Sequence, residues 1–213
     1  AGGRAGSFGT GCFSFYATKN MMSGEGGIVT TNDSTVAERL RRLRHHGQSG
    51  TYTSVELGYN YRITDVAAAI ALAQLHRLEE LTAARRRNAA YLSRHLRGVG
   101  LPPEAVEPEA MVWHQYTVRV AEGRDDLART LRDRGIEAGV YYPSVLPDQP
   151  LYQQRGHGGE ELPVARRLAA EVLSLPVHPA LPQTDLDQIV AAVNDWTAAR
   201  GLQSTTPPSE AHE

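Results

Sequence analysis

Lys19 is the only lysine in the chain: of 22 basic residues, the other 21 are arginines. At a solvated surface the two cations are interchangeable. They differ where a neutral amine is needed, because lysine can lose its proton when its pKa is lowered and a guanidinium cannot. A neutral amine can form a Schiff base with an aldehyde and can carry protons. Ser14 places a hydroxyl five residues before that amine, in the stretch "CFSFYATKNMMSGEGG" (12–27), and a glycine-rich turn follows. An amine, a hydroxyl donor and backbone N–H groups on one loop suit a molecule that carries both an aldehyde and a phosphate. Pyridoxal phosphate has that layout. A surface cation that escaped a general arginine bias is the alternative that composition leaves open.

The elements that must hold these groups follow from pattern. Residues 12–17 alternate and are rich in aromatics, which predicts a strand, and 27–31 predict a second one after the loop 18–26. Asp33 and Ser34 can cap a helix with the body "VAERLRRLRHH", stopped by Gly47. Residues 48–61 are polar and glycine-punctuated and read as loop. From Thr64 the apolar residues Val66, Ile70, Leu72, Leu75, Leu78, Leu81, Tyr91, Leu92 and Leu96 recur at helical spacing. No glycine or proline interrupts this run, so it is one long helix or two with a kink. Its "AAAIALAQL" part is rich in small residues that allow close packing.

Gly98, Gly100, Pro102, Pro103 and Pro108 mark a boundary, and a second α/β unit follows. Strands are expected at 114–120 and 136–142, with a helix in "DDLARTLRDR" ending at Gly135. "LPVARRLAAEVLSL" reads as a helix with Pro163 near its start, and Thr184 with Asp187 as the capping box of the last helix. The expected organisation is a first domain over 1–97, a second over 98–202, and a disordered polar tail over 203–213.

Composition bounds the function. The chain has 213 residues, 41% hydrophobic and 22% charged, with a net charge of −2. It has no global basic field to attract nucleic acid or an anionic membrane, and no apolar run approaches the roughly 18 residues that span a bilayer. The single cysteine, Cys12, excludes an internal disulfide, fits a reducing cytoplasm and reads as a buried filler. His45 and His46 are adjacent on a helix and point in different directions, so no metal is expected there; cationic side chains suit a helix C-terminus. Arg85, Arg86 and Arg87 read as a solvated helix face. The opening "AGGRAGSFGTG" has neither methionine nor a signal-peptide pattern and is expected to be the interior of a longer protein.

Several motifs occur in one order: "FSFYATKN", "GEGGIVTTND", "LRRLRHHGQ", "GYNYRITDVAAAIALAQL", "VYYP" and "LSLPVHPAL". In these the chain resembles the pyridoxal-phosphate-dependent sugar aminotransferases of the DegT/StrS type, from residue 1 to about 199. The resemblance implies an α/β fold of fold type I, with an incomplete large cofactor-binding domain and a small C-terminal α/β domain. It implies a homodimer with its active site at the subunit boundary. By motif, Lys19 corresponds to the lysine that forms the Schiff base, Ser14 to the serine on the cofactor phosphate, and Asn60 to the asparagine that reaches the neighbouring subunit's phosphate. Arg62 and Tyr142 correspond to positions near the substrate. The implied reaction moves an amino group from glutamate or glutamine to a keto-sugar, nucleotide-linked or a related cyclitol, in polysaccharide or secondary-metabolite synthesis. A sugar dehydratase of the same fold is the near alternative, but such relatives lose the lysine. A binding or regulatory homologue without chemistry is the other. Pro147 stands where the family often has histidine, a departure from the family pattern at a position of substrate contact.

Overall fold

Residues 3–103 and 111–202 are described by the computed structural model. Strand β1 (Gly11–Ser14) pairs antiparallel with β2 (Gly27–Thr30), in a register that sets Cys12 against Val29 and Ser14 against Gly27. Beyond Ser14 the ladder continues irregularly: Phe15 N donates to Gly26 O at 2.9 Å and Ser23 N to Phe15 O at 2.8 Å. The expected strand over 12–17 is thus shorter, because the chain must turn to close the loop. Cys12 is exposed, correcting its reading as a buried filler. Within the described residues both faces of this hairpin are largely open to solvent, so alternation did not report burial.

Helix α1 (Ser34–Leu43) starts as expected, with Asp33 Oδ1 accepting from Thr35 N at 2.8 Å and Val36 N at 3.2 Å. It ends in a tight turn in which His46 (φ 55°) and Gly47 (φ 68°) are left-handed. The next segment, expected to be all loop, contains a small hairpin of β3 (Gln48–Gly50) and β4 (Thr53–Ser54). Two non-local bonds hold it, Ser54 Oγ to His46 O at 3.0 Å and Val55 N to Gly47 O at 2.9 Å. Polar composition alone does not reveal such pairing.

The long helical run is two helices, α2 (Asp65–His76) and α3 (Leu78–His95), separated at Arg77. Thr64 Oγ1 caps α2 through Ala67 N at 3.2 Å. Arg77 (φ −101°, ψ 0°) donates its N–H to Gln74 O, a tightened last turn, and its side chain bonds Glu80 at the start of α3. Only Ala71 of α2 is buried among the described residues, and Val66 remains 73% exposed. The chain divides into two compact units inside α3, between Leu81 and Thr82.

The second unit has its own core. Strand β5 (Tyr116–Arg119) is followed by α4 (Arg124–Asp133), a 3₁₀ turn at Leu146–Asp148, α5 (Pro150–Gln153), α6 (Pro163–Glu171), β6 (Val172–Leu175) and α7 (Gln183–Ala199). β5 and β6 pair antiparallel, with Tyr116 opposite Leu175 and Val118 opposite Leu173. Leu92, Tyr116, Val118, Leu127, Leu131, Leu173 and Val193 are fully buried between this ribbon and the helices.

Four expectations fail in this unit. Residues 172–175 are a strand rather than the end of a helix, because β5 needs an antiparallel partner and that pairing overrides local helix propensity. Residues 136–142 form only an isolated bridge, Gly139 with Ser174, on the free side of β6. The N-cap of α7 is Pro182, with no side-chain cap; Asp187 accepts instead from Tyr91 Oη and Gln183 Nε2. Arg85 is buried rather than solvated, its Nη1 bonded to Trp113 O at 3.1 Å and His114 O at 3.3 Å. The expected tail, 203–213, lies outside the described residues.

One cluster in this unit yields an acid-stability prediction. Asp126 accepts from Trp196 Nε1 at 2.8 Å and pairs with Arg200 and Arg129. The Trp196 hydrogen bond, then the Arg200 and Arg129 charges, hold its carboxyl below the usual aspartate range. A group lowered in the folded state stabilises above its unfolded pKa, and that stabilisation is lost as pH falls through the folded value. Asp126→Asn should therefore reduce stability at pH 7 and flatten its loss below about pH 4. Denaturant titrations followed by tryptophan fluorescence check this; equal acid slopes for the two proteins would contradict it.

Candidate active site

Ser14 and Lys19 belong to one turn. The backbone of Tyr16 is held at both polar ends: its N–H donates to Ser14 Oγ at 3.2 Å, and its carbonyl accepts from Lys19 N–H at 2.9 Å. Ser14 ends β1, and the turn that follows is closed by the backbone N–H of Lys19. Ser14 is exposed and Lys19 is half-buried. Because Ser14 Oγ accepts from Tyr16, its own proton is left to donate outward.

The far side of the loop is built on glycine. Gly24 (φ 86°) and Gly26 (φ 133°) lie in the region that other residues rarely adopt. A Cβ on Gly27 would stand 2.6 Å from Phe13 O, so only glycine lets the two strands close there. The donor set fits pyridoxal phosphate as far as this chain supplies it: an amine for the aldehyde and a hydroxyl donor for the phosphate. Among the described residues no group of three or more His, Cys, Asp or Glu could hold a metal ion.

Asn60 and Arg62 form a second group, brought together by the end of α1. His46 N donates to Tyr59 O at 2.9 Å, Tyr59 N to Leu43 O at 2.6 Å and Tyr61 N to Arg44 O at 3.0 Å, and His45 bridges Asn60. The approach is close enough that a Cβ on Gly58 would lie 1.9 Å from Gly47 N. Glu56 ties the intervening loop to the helix, accepting from Arg42 Nε at 2.6 Å with Arg39 at 3.4 Å. The Arg42 hydrogen bond leads in holding the Glu56 carboxyl below its usual range. Asn60 and Arg62 are both exposed. Arg62 also touches two cavities. One, about 1040 Å³, is an apolar groove between β2, α1 and α2 that includes Ile28, Leu40 and Leu72. The other, about 380 Å³, is shared with Ser23 and Glu25 of the Lys19 loop. Neither is lined by Ser14, Lys19 or Asn60.

Tyr142 belongs to the second unit and is 73% exposed, its ring edge-on to Tyr141 at 5.8 Å. Sequence reasoning missed one pair at the first unit's site. His45 and His46, read as helix-terminal side chains, face Arg62: its Nη1 lies 2.6 Å from His45 Nδ1 and 3.4 Å from His46 Nε2. No local signal could have found this, since the partners are 17 and 16 residues apart.

Known proteins share this arrangement of elements. The chain is 38% identical over 189 residues to a pleiotropic regulatory protein of Geobacillus stearothermophilus, matching 86% of this chain and 50% of that protein. It is 38% identical over 188 residues to a dTDP-3-amino-3,4,6-trideoxy-alpha-D-glucose transaminase of Streptomyces venezuelae, matching 86% of this chain and 49% of that protein. Among solved structures, the aminotransferase TlmJ of Streptoalloteichus hindustanus superposes with a TM-score of 0.85 at 33% identity, over 93% of this chain and 55% of that one. The α/β fold expected from the motifs is the fold of that aminotransferase. The chain spans about half the length of the curated relatives it matches. With the sequence profile of the DegT/DnrJ/EryC1/StrS aminotransferases matching residues 1–194, the chain belongs to that family.

Proposed function

We propose that the intact protein is a pyridoxal-phosphate-dependent transaminase that transfers an amino group from glutamate or glutamine to a nucleotide-linked keto-sugar, as a cytoplasmic homodimer. The observation that carries this reading is the sole lysine of the chain on one turn with Ser14, within a family of aminotransferases. The transaminase relative named for a dTDP-linked amino sugar supports the substrate class. When bound, pyridoxal phosphate supplies an electron sink for the carbanion left at the donor's Cα.

The chain's own residues supply the rest. Lys19 Nζ holds the cofactor and, when freed, takes the proton from the donor's Cα. Ser14 Oγ–H donates to the phosphate. Asn60 donates an amide hydrogen to the phosphate of the neighbouring protomer. Arg62 offers a fixed positive charge to an anionic substrate group, and the exposed Tyr142 hydroxyl offers a neutral donor.

The test is a coupled amination assay of the full-length protein, with glutamate or glutamine, against a panel of UDP-, dTDP- and GDP-linked keto-sugars. Turnover of at least one is expected; absence of turnover across the panel by protein that binds the cofactor would contradict the reading. The relative named for regulation supports a second reading, a binding protein of the same fold without turnover, which that outcome would favour.

A further inference from the structure

We propose that His45 is a positioning residue for Arg62, holding its guanidinium in place without neutralising it so that it can receive an oxyanion. This rests on the reading above that Arg62 faces the substrate. The geometry is a 2.6 Å contact from Arg62 Nη1 to His45 Nδ1, with His46 Nε2 farther off at 3.4 Å. A guanidinium only donates hydrogen bonds. Nδ1 of His45 is therefore the acceptor, and the proton of that ring sits on Nε2. By the same argument His46 turns its bare Nε2 toward Arg62 and keeps its proton on Nδ1.

The kind of partner matters. A carboxylate would hold Arg62 equally well, but it would occupy the fork and cancel the charge. That is the arrangement one turn away, where Arg42 and Arg39 both pair with Glu56. Among the described residues no carboxylate is ion-paired with Arg62. A neutral imidazole fixes one Nη and leaves the charge and the remaining N–H groups available.

The support behind the imidazole is stiff. His45 sits in the turn after α1, which is bonded to the segment carrying Arg62 at Tyr59 and Tyr61 and packed against it where Gly47 meets Gly58. Both ends of the contact thus belong to one cross-linked piece of backbone. The ligand class that follows is an oxyanion, either the carboxylate of the amino donor or the diphosphate of the nucleotide sugar.

The experiment uses the full-length enzyme loaded with its cofactor. His45→Phe keeps a ring and removes the acceptor; His45→Asn offers Oδ1 near the position of Nδ1; Arg62→Met removes the charge. The KM for each substrate is measured, together with the Kd by calorimetry for two probes, glutarate for the donor side and dTDP for the nucleotide side. His45→Phe should weaken one probe and raise the matching KM about tenfold, with kcat changed by less than about threefold. His45→Asn should restore both to within about threefold of the parent protein. The double variant His45→Phe/Arg62→Met should bind no more weakly than Arg62→Met alone, since the imidazole acts only through the guanidinium.

Loss on the glutarate side identifies the donor carboxylate and loss on the dTDP side the diphosphate. If His45→Phe folds poorly, His45→Leu takes its place. If Arg62→Met weakens binding and neither His45 variant does, the positioning role is wrong. If Arg62→Met itself changes no Kd or KM, the placement of Arg62 toward substrate is wrong.

Discussion

Replacing Lys19 with arginine should abolish amino transfer by the intact protein while leaving it folded. The backbone N–H of Lys19 closes the turn through Tyr16 O, and that bond does not depend on the side chain. The residue is half-buried and makes no ion pair among the described residues, so arginine keeps the charge and breaks no salt bridge. Arginine cannot become neutral at working pH, so it can neither hold the cofactor covalently nor take a proton. Loss of a positioned proton carrier alone typically lowers the rate by about 100- to 10,000-fold, and loss of the covalent attachment adds to that. Single-turnover and steady-state kinetics of the full-length variant check the size of the effect. A surface-cation reading expects the opposite, because in a chain with 21 arginines one more would be harmless.

The second large effect concerns a site shared between protomers. If Asn60 serves the phosphate bound by a neighbouring protomer, Asn60→Asp sets a carboxylate against that phosphate and replaces a donor by a repelling charge. Either Lys19→Arg or Asn60→Asp should then be almost inactive alone. In a mixed dimer one active site combines Lys19 of one protomer with Asn60 of the other and is intact, and the second site carries both lesions. Random assortment makes half of the dimers mixed, each with one working site, so equal mixing should restore about a quarter of the parent activity. Mixing is done through denaturation and renaturation of the full-length proteins, with activity measured before and after. Recovery absent from dimers shown by mass to be mixed would place Asn60 in its own protomer's site or in none.

What was legible in the sequence was what is decided locally. The cap at Asp33 and the two strands that flank a glycine loop each depend on a few adjacent residues. The turn that joins Ser14 to Lys19 is of the same kind, since its bonds span only two and three residues. What was not legible depends on distant partners. The stretch 172–175 follows a helix without interruption, and only β5, far upstream, makes it a strand. Arg85 belongs to a run of three arginines that looks solvated, but carbonyls of Trp113 and His114 bury it. His45 looked like a helix-end cation until the backbone brought Arg62 to it. Asn60, Arg62 and Tyr142 were singled out by resemblance alone, and no spacing near them points to chemistry.

The attachment of pyridoxal phosphate to Lys19 is measured most directly by borohydride reduction of the full-length holoprotein followed by mass mapping of its peptides. Reduction should abolish the visible absorbance and leave one modified peptide, containing Lys19 with the mass of the reduced cofactor on its Nζ. An unmodified Lys19 peptide from protein that had bound pyridoxal phosphate and absorbed visible light before reduction would contradict it.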